Sequence, residues 1–316
     1  MKDRDSWKDW GRLGLLIGLM GGSGCGPSDE INRSDLAVAD SNPIPRVCVV
    51  NYPLYFFVER IAGDRVELVL PKSSGIDPAF WKPSDEEIQM FQRADLILMW
   101  GAGYAKWLTE VSLPQGKLVD TGKAIQAQWI YDEDAVTHSH GDEGEHSHGE
   151  VAFTTWLDFT LALRQGEEVK KALAALLPDQ AASFEGTFRR LQADLTDLDR
   201  QMRAAVAKNG EQALFASHPV YQYLERRYGL TLKSFHWEPG ETPGEEAWEA
   251  FESSRSELKV KWMLWEGQPS EETMVRMRAF GVEPLVFPTG GGIPEEGDFL
   301  DLMRGNIHRL SEALNP

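Results

Sequence analysis

Cysteine is scarce in this chain, with two among 316 residues. No disulfide framework is therefore expected. Cys48 lies in the apolar strand pattern Val47-Cys48-Val49-Val50 and reads as a buried core thiol. Positive charge is also short. Lys and Arg number 32 against 50 Asp and Glu, a formal net charge of -18. That balance speaks against nucleic acid and anionic membrane surfaces, whose phosphates need Lys and Arg to neutralise them. It suits cationic ligands, although an acidic surface also serves solubility alone. The motifs of catalysis are missing too: there is no nucleophile–base pair, phosphate loop or cysteine in a catalytic context. Gly101-x-Gly103 and Gly290-Gly291-Gly292 are turn signals outside any dinucleotide fingerprint. An enzyme is not expected.

The leading apolar run, 13–20, is far shorter than the roughly 20 residues a membrane span needs. It follows Lys2, Arg4, Lys8 and Arg12 and precedes Gly22-Ser23-Gly24-Cys25. This order fits an export signal ending in a bacterial lipobox, with Cys25 as the lipidated first residue. The alternatives are a plain secretory signal or a short anchor. Residues 26–45 are polar and Pro-containing and suit a tether.

Beyond the tether, strands and helices alternate. Expected strands are 46–51, 66–70, 95–100 and 117–119, then 213–217, 231–236, 259–265 and 284–287. Expected helices are 54–62, stopped by Gly63, and one opened by the capping box at Ser84 and running to Ala94. Others begin near Pro219, Pro243 and Ser270, with Gly229 and Gly281 ending two of them, and a last one covers 299–314. A long helix over 179–208 carries Phe184, Phe188, Leu191, Leu195, Leu198, Met202 and Val206 at helical spacing, and Asn209-Gly210 ends it. The fold class is α/β, two parallel-sheet lobes joined by one long helix. The division expected is a signal and lipobox at 1–25, tether 26–45, first lobe 46–178, linking helix 179–209 and second lobe 210–316.

Ligands of open parallel sheets bind beyond the carboxyl ends of the strands. In the second lobe those ends carry His218, His236 and Glu266, a set able to hold zinc with an open fourth position. Each alone has a plainer reading, as a helix-entry residue, a polar strand end and a turn carboxylate. A second cluster, His138, His140, His146 and His148, gathers four of the seven histidines with three carboxylates in eleven residues. Gly and Ser make it flexible, and such a cluster binds zinc or another divalent transition metal.

Several segments carry a family resemblance. They are Tyr-Pro-Leu-Tyr-Phe-Phe-Val-Glu-Arg-Ile-Ala-Gly-Asp (52–64), Ala-Asp-Leu-Ile-Leu-Met-Trp-Gly-Ala-Gly (94–103), the His-rich stretch, Trp-Leu-Asp (156–158), Ser-His-Pro-Val-Tyr-Gln-Tyr-Leu-Glu-Arg-Arg-Tyr-Gly-Leu (217–230) and Leu-Met-Arg-Gly-Asn-Ile (302–307). Over nearly all of 46–314 the chain resembles the zinc and manganese solute receptors of bacterial ABC importers. The resemblance implies two similar lobes, a rigid linking helix, a metal ion carried between the lobes and delivery to a membrane permease. It places the protein outside the cytoplasm, tethered to the membrane by lipid. It also implies a metal-ligand set that this chain keeps only in part. Ala79 and Thr154 stand where members usually have His, and Phe287 stands near a common acidic ligand. His218 is kept, and Glu266 sits where many members carry Glu. Phe80, Trp81, Trp100, Tyr104, Trp237 and Phe287 all fall near the expected strand ends. The alternative is thus a module of the same fold holding a metal chelate, an organic ligand or nothing.

Overall fold

Val47, Cys48 and Val49 have no solvent exposure, and a run buried on both faces belongs in the middle of a parallel sheet. The computed structural model describes residues 43–71, 79, 81–131, 151–208 and 212–315, with backbone alone for 137–139 and 145–147. The expected signal segment with Cys25, Phe80, Asn209 and Gly210 lie outside the described residues. So do His140 and His148 and the side chains of His138 and His146.

The first sheet holds β1 (Arg46–Val49), β2 (Glu67–Val69), β3 (Leu96–Met99) and β4 (Leu118–Asp120) in the order β2-β1-β3-β4, all parallel. A two-stranded antiparallel ladder follows, β5 (Thr137–Ser139) with β6 (Glu145–Ser147), and its register sets His138 opposite His146. The expectation of a flexible stretch contained no such ladder. The second sheet holds β7 (Ala213–Ala216), β8 (Thr231–Ser234), β9 (Trp262–Trp265) and β10 (Glu283–Val286). Its order is β10-β9-β7-β8, again all parallel. Both sheets share one winding: the second strand goes to one side of the first, the third to the other. Each sheet therefore has a switch point beside its first strand, between β1 and β3 and between β7 and β9.

Helices α1 (Tyr52–Ala62), α2 (Asp85–Arg93), α3 (Phe159–Leu176), α4 (Ala181–Val206), α5 (Gln222–Tyr228), α6 (Glu245–Leu258), α7 (Glu271–Ala279) and α8 (Phe299–Leu314) cover the sheets. Their ends follow local chemistry. The Ser84 capping box opens α2, Gly63 closes α1 and Gly229 closes α5 in the left-handed region at φ 70°. Lys259 was expected in a strand but caps α6 at φ 51°, so β9 starts three residues later. The helix expected near Pro219 begins at Gln222. The expectations above contain no element at α3, an 18-residue helix opened by the Asp158 carboxylate.

One core cluster runs from β1 and α1 through α3 and α4 to Leu264, Phe287 and α8, so the two sheets share an interior. A second cluster, with Phe215, Phe235, Trp237, Trp248 and Trp265, lies on the other face of the second sheet. Alternation explains the split, because side chains two apart share a face. Leu214 and Ala216 join the shared interior, whereas Phe215 goes to the second cluster. The 26-residue α4 is about 39 Å long and spans both halves. Early in α4, Thr187 donates to the Ile61 carbonyl of α1 at 2.8 Å; at its end, the Ala205 carbonyl accepts from Asn315 at 2.9 Å. In between, Asp199 accepts from Arg227 Nε at 2.9 Å, Arg203 Nε at 3.1 Å and the Tyr228 hydroxyl at 3.1 Å. Arg227 also reaches the Asp158 carboxylate at 3.5 Å, which ties α5 to the start of α3.

Cys48 is fully buried, and that burial pushes its thiol pKa up to about 12, so it is unreactive. Among the described residues, no helix is long and apolar enough to cross a membrane.

Candidate metal site at the second switch point

Strand β7 ends at Ala216 and leads into Ser217 and His218, and β9 ends at Trp265 and leads into Glu266, so the switch point between them is flanked by an imidazole and a carboxylate. Alternation puts His218 on the face of Leu214 and Ala216, and Glu266 on the face of Leu264, both toward the shared interior. The chain after β8 keeps the same rhythm. Phe235 and Trp237 pack in the second cluster, so His236 and Glu238 face the other way. Two backbone bonds hold this segment beside β7: Phe235 N donates to the Ala216 carbonyl (2.9 Å) and Trp237 N to the Ser217 carbonyl (2.7 Å).

His218 is buried at 4% exposure and lies between two carboxylates. Its Nε2 is 3.3 Å from Glu238 Oε1, and its Nδ1 is 3.7 Å from Glu266 Oε1. The ring of His236, itself exposed, stands edge-on to that of His218, with centroids 5.7 Å apart and planes at 88°. Glu266 Oε2 accepts from Thr289 Oγ1 at 3.4 Å. The structure thus gathers the three expected second-lobe residues and adds Glu238, which the sequence reading passed over. Among the described residues, no three His, Cys, Asp or Glu side chains are disposed to hold one ion.

The first-lobe positions have been turned to packing. Ala79 is buried in the shared core. Thr154, also buried, donates its hydroxyl to the Val220 carbonyl at 2.5 Å, two residues beyond His218. Trp156 Nε1 donates to the Thr289 carbonyl at 2.6 Å, and Tyr52 N donates to the Gly291 carbonyl at 3.0 Å. The loop that makes these last two contacts needs Gly290. Its φ is +80°, and a Cβ there would meet Leu302 and Met303 at 3.0 Å. Phe287 has no exposure; its ring meets Tyr221 edge-on at 5.8 Å, and its carbonyl accepts the Tyr221 hydroxyl at 2.8 Å. It fills that position with hydrocarbon.

The aromatic side chains near the strand ends divide among several packing sites. Trp237 stacks on Phe251 and packs at a tilt against Trp248 in the second cluster. Trp81 packs on Trp107, beside Phe91 of α2. Trp100 bonds Thr155 at 2.8 Å and packs on Trp156, and Tyr104 packs on Phe153 and Trp156.

The chain was compared with known proteins. The family model described as "ZnuA: Zinc-uptake complex component A periplasmic" matches residues 47–313. The high-affinity zinc uptake system protein ZnuA of Bacillus subtilis is 26% identical over 306 residues, covering 90% of this chain and 92% of that protein. The zinc-binding lipoprotein AdcA of Streptococcus pneumoniae is 26% identical over 183 residues, 57% of this chain. That match spans only 36% of AdcA's own length. Among solved structures, the Zn(II)-bound ZnuA-like domain of S. pneumoniae AdcA superimposes with a TM-score of 0.72 at 18% identity, covering 86% of this chain and 99% of that one. The periplasmic zinc-binding protein TroA of Treponema pallidum gives 0.69 at 18% identity, with 86% and 99% covered. At these identities the structural likeness is one of fold.

Proposed function

We propose a receptor function from one premise: the chain belongs to the ZnuA family of periplasmic zinc-uptake components. The protein captures zinc, or a similar divalent ion, outside the cytoplasm and hands it to an ABC permease in the membrane. It binds cargo and does no chemistry on it. The observation that carries this reading is the placement of His218, a buried imidazole at the switch point with a carboxylate near each ring nitrogen. Imidazole with carboxylate is a donor set that zinc accepts. His218 anchors the cleft site, His236 and Glu266 stand beside it, and water or a histidine of 138–148 completes the shell. The cargo is held from the second sheet, because Ala79 and Thr154 offer no imidazole from the first. Lobe closure then owes little to the ion, since a ligand shifts an equilibrium only by its differential affinity for the two states. Thr154 and Trp156 already bridge the lobes by hydrogen bonds.

His138, His140, His146 and His148 form a separate capture site feeding the cleft. Calorimetric titration with zinc tests both sites together. Deleting 138–148 is expected to lower the stoichiometry and leave at least one ion bound, with the far-ultraviolet spectrum unchanged. Unchanged stoichiometry would exclude the histidine cluster, and complete loss of binding would exclude the cleft.

Cys25 is the lipid attachment point. A single acyl chain binds membranes only marginally, so stable tethering needs more than one. Changing Cys25 to Ser is expected to release the protein from membranes or to leave it unprocessed. A variant that stays membrane-bound at mature size would contradict the lipid anchor.

A further inference from the structure

The His218 ring offers two edges, and one ion takes only one of them, because a neutral imidazole has a free lone pair on one ring nitrogen and a proton on the other. The distances on the two edges differ in a way that selects between them. Two donors on a tetrahedral zinc, each about 2.0–2.2 Å from the metal, stand about 3.4 Å from one another. Nε2 and Glu238 Oε1 are 3.3 Å apart, already at that spacing. Nδ1 and Glu266 Oε1 are 3.7 Å apart, wider than a shared ion sets them. Glu266 is also engaged from behind by the Thr289 hydroxyl at 3.4 Å. At 3.7 Å Glu266 is also beyond hydrogen-bond reach of Nδ1, so it acts on the ring only through its charge.

Resting on the receptor reading above, we propose that the cargo ion sits on the Nε2 edge of His218, shared with Glu238, and that Glu266 stays outside its shell on the Nδ1 edge. Glu238 then supplies, from the second lobe, a donor that replaces one lost with Ala79, Thr154 and Phe287. Its place follows from the strand rhythm, since Trp237 is anchored in the second cluster and turns both of its neighbours toward His218. The Glu238 side chain is 30% exposed against 6% for His218, so the ion enters from the carboxylate side and meets the imidazole last. With two protein donors identified, the remaining coordination positions are open to water, which favours exchange of the ion over retention.

The test uses the full chain with His138, His140, His146 and His148 changed to alanine, so that only the cleft is read. Zinc affinity is measured by competition with a chelating dye, and cobalt(II) replaces zinc to report the ligand field. E238Q is expected to weaken zinc by more than about 100-fold and to change the cobalt d–d bands, with E238D restoring part of both. E266Q is expected to weaken zinc by less than about 10-fold while keeping the band positions, because its carboxylate is beyond hydrogen-bond reach of the ring. Bands changed by E266Q but not by E238Q would place the ion on the Nδ1 edge and overturn the assignment. Wild-type affinity and bands in E238Q would overturn it as well. H218A separates the two levels. If it loses zinc while E238Q does not, the receptor reading stands and only the edge is wrong. If H218A binds as the parent does, the receptor site itself is wrong.

Discussion

Changing His218 to alanine is expected to abolish zinc binding in the cleft while leaving the fold intact. Among the described residues His218 is the one imidazole buried at the second switch point, and without it the ion would have oxygen donors and the exposed His236. Removing an outer partner of a ligand typically costs about 10- to 100-fold in affinity, so removing the ligand costs more than about 100-fold. The fold survives because His218 sits beyond the end of β7, and the backbone bonds that hold the segment, Ser217 N to the Leu264 carbonyl at 2.8 Å among them, do not involve the ring. Calorimetry on the variant lacking residues 138–148 reads the loss directly. A Kd within a few-fold of the parent would show that the cleft ion is held elsewhere.

The second large effect concerns stability. Asp199 of α4 is expected to contribute about 3 kcal/mol, lost in Asp199→Ala, because Arg227, Arg203 and Tyr228 would all lose their shared acceptor. This is the lower end of the range for breaking a buried pair, as the Asp199 side chain keeps 16% exposure. Burial raises the Asp199 pKa, but hydrogen bonds from Arg227 and Arg203 outweigh it and hold the carboxyl below its usual range. The sign of the pH dependence follows. A carboxylate with a depressed folded pKa contributes its stability above the unfolded value, near pH 4, and loses it as pH falls through the folded value. Urea unfolding of the parent and Asp199→Ala should therefore differ most near neutrality and draw together in acid. Equal midpoints at pH 7 would show that the cluster is a surface network of little weight.

Much of the fold was legible because it is written in local chemistry. Val47, Ile97, Leu214 and Leu264 lie in apolar runs that only a two-sided parallel sheet buries, and Ser84, Gly63 and Gly229 mark helix ends by capping and left-handed geometry. Helix α3 was not legible in that way. Gly166 sits at its middle, where glycine lowers helix propensity. A Cβ at Gly166 would meet Phe188 and Leu191 of α4 at 3.5 and 3.6 Å, ordinary contact distances, so the packing of α3 on α4 does not require the glycine but overrides its low propensity. Lys259 failed as a strand residue for a related reason, since a left-handed non-glycine cap carries no clear signal in sequence.

The site was half legible. Strand ends in a parallel sheet name His218 and Glu266 without any contact information, and the pairing of β7 with β9 brings them together. Glu238 stands at the same strand end as His236 but reads alone as a turn carboxylate, so it stayed outside the expected set. Its signal was the alternation Phe235-His236-Trp237-Glu238, two aromatics on one face and two metal-competent groups on the other. The aromatics misled because nearness to a strand end says nothing about which face a side chain takes. Trp237 and Phe287 both follow strands of the second sheet, yet they fill different cores.

The central claim is that zinc is held at His218 from the second lobe. Anomalous diffraction at the zinc edge from crystals of the zinc-loaded protein tests it most directly. The account predicts a peak about 2.0–2.1 Å from His218 Nε2 and within about 2.2 Å of a Glu238 oxygen. A zinc-loaded crystal with no anomalous peak at His218 would contradict it.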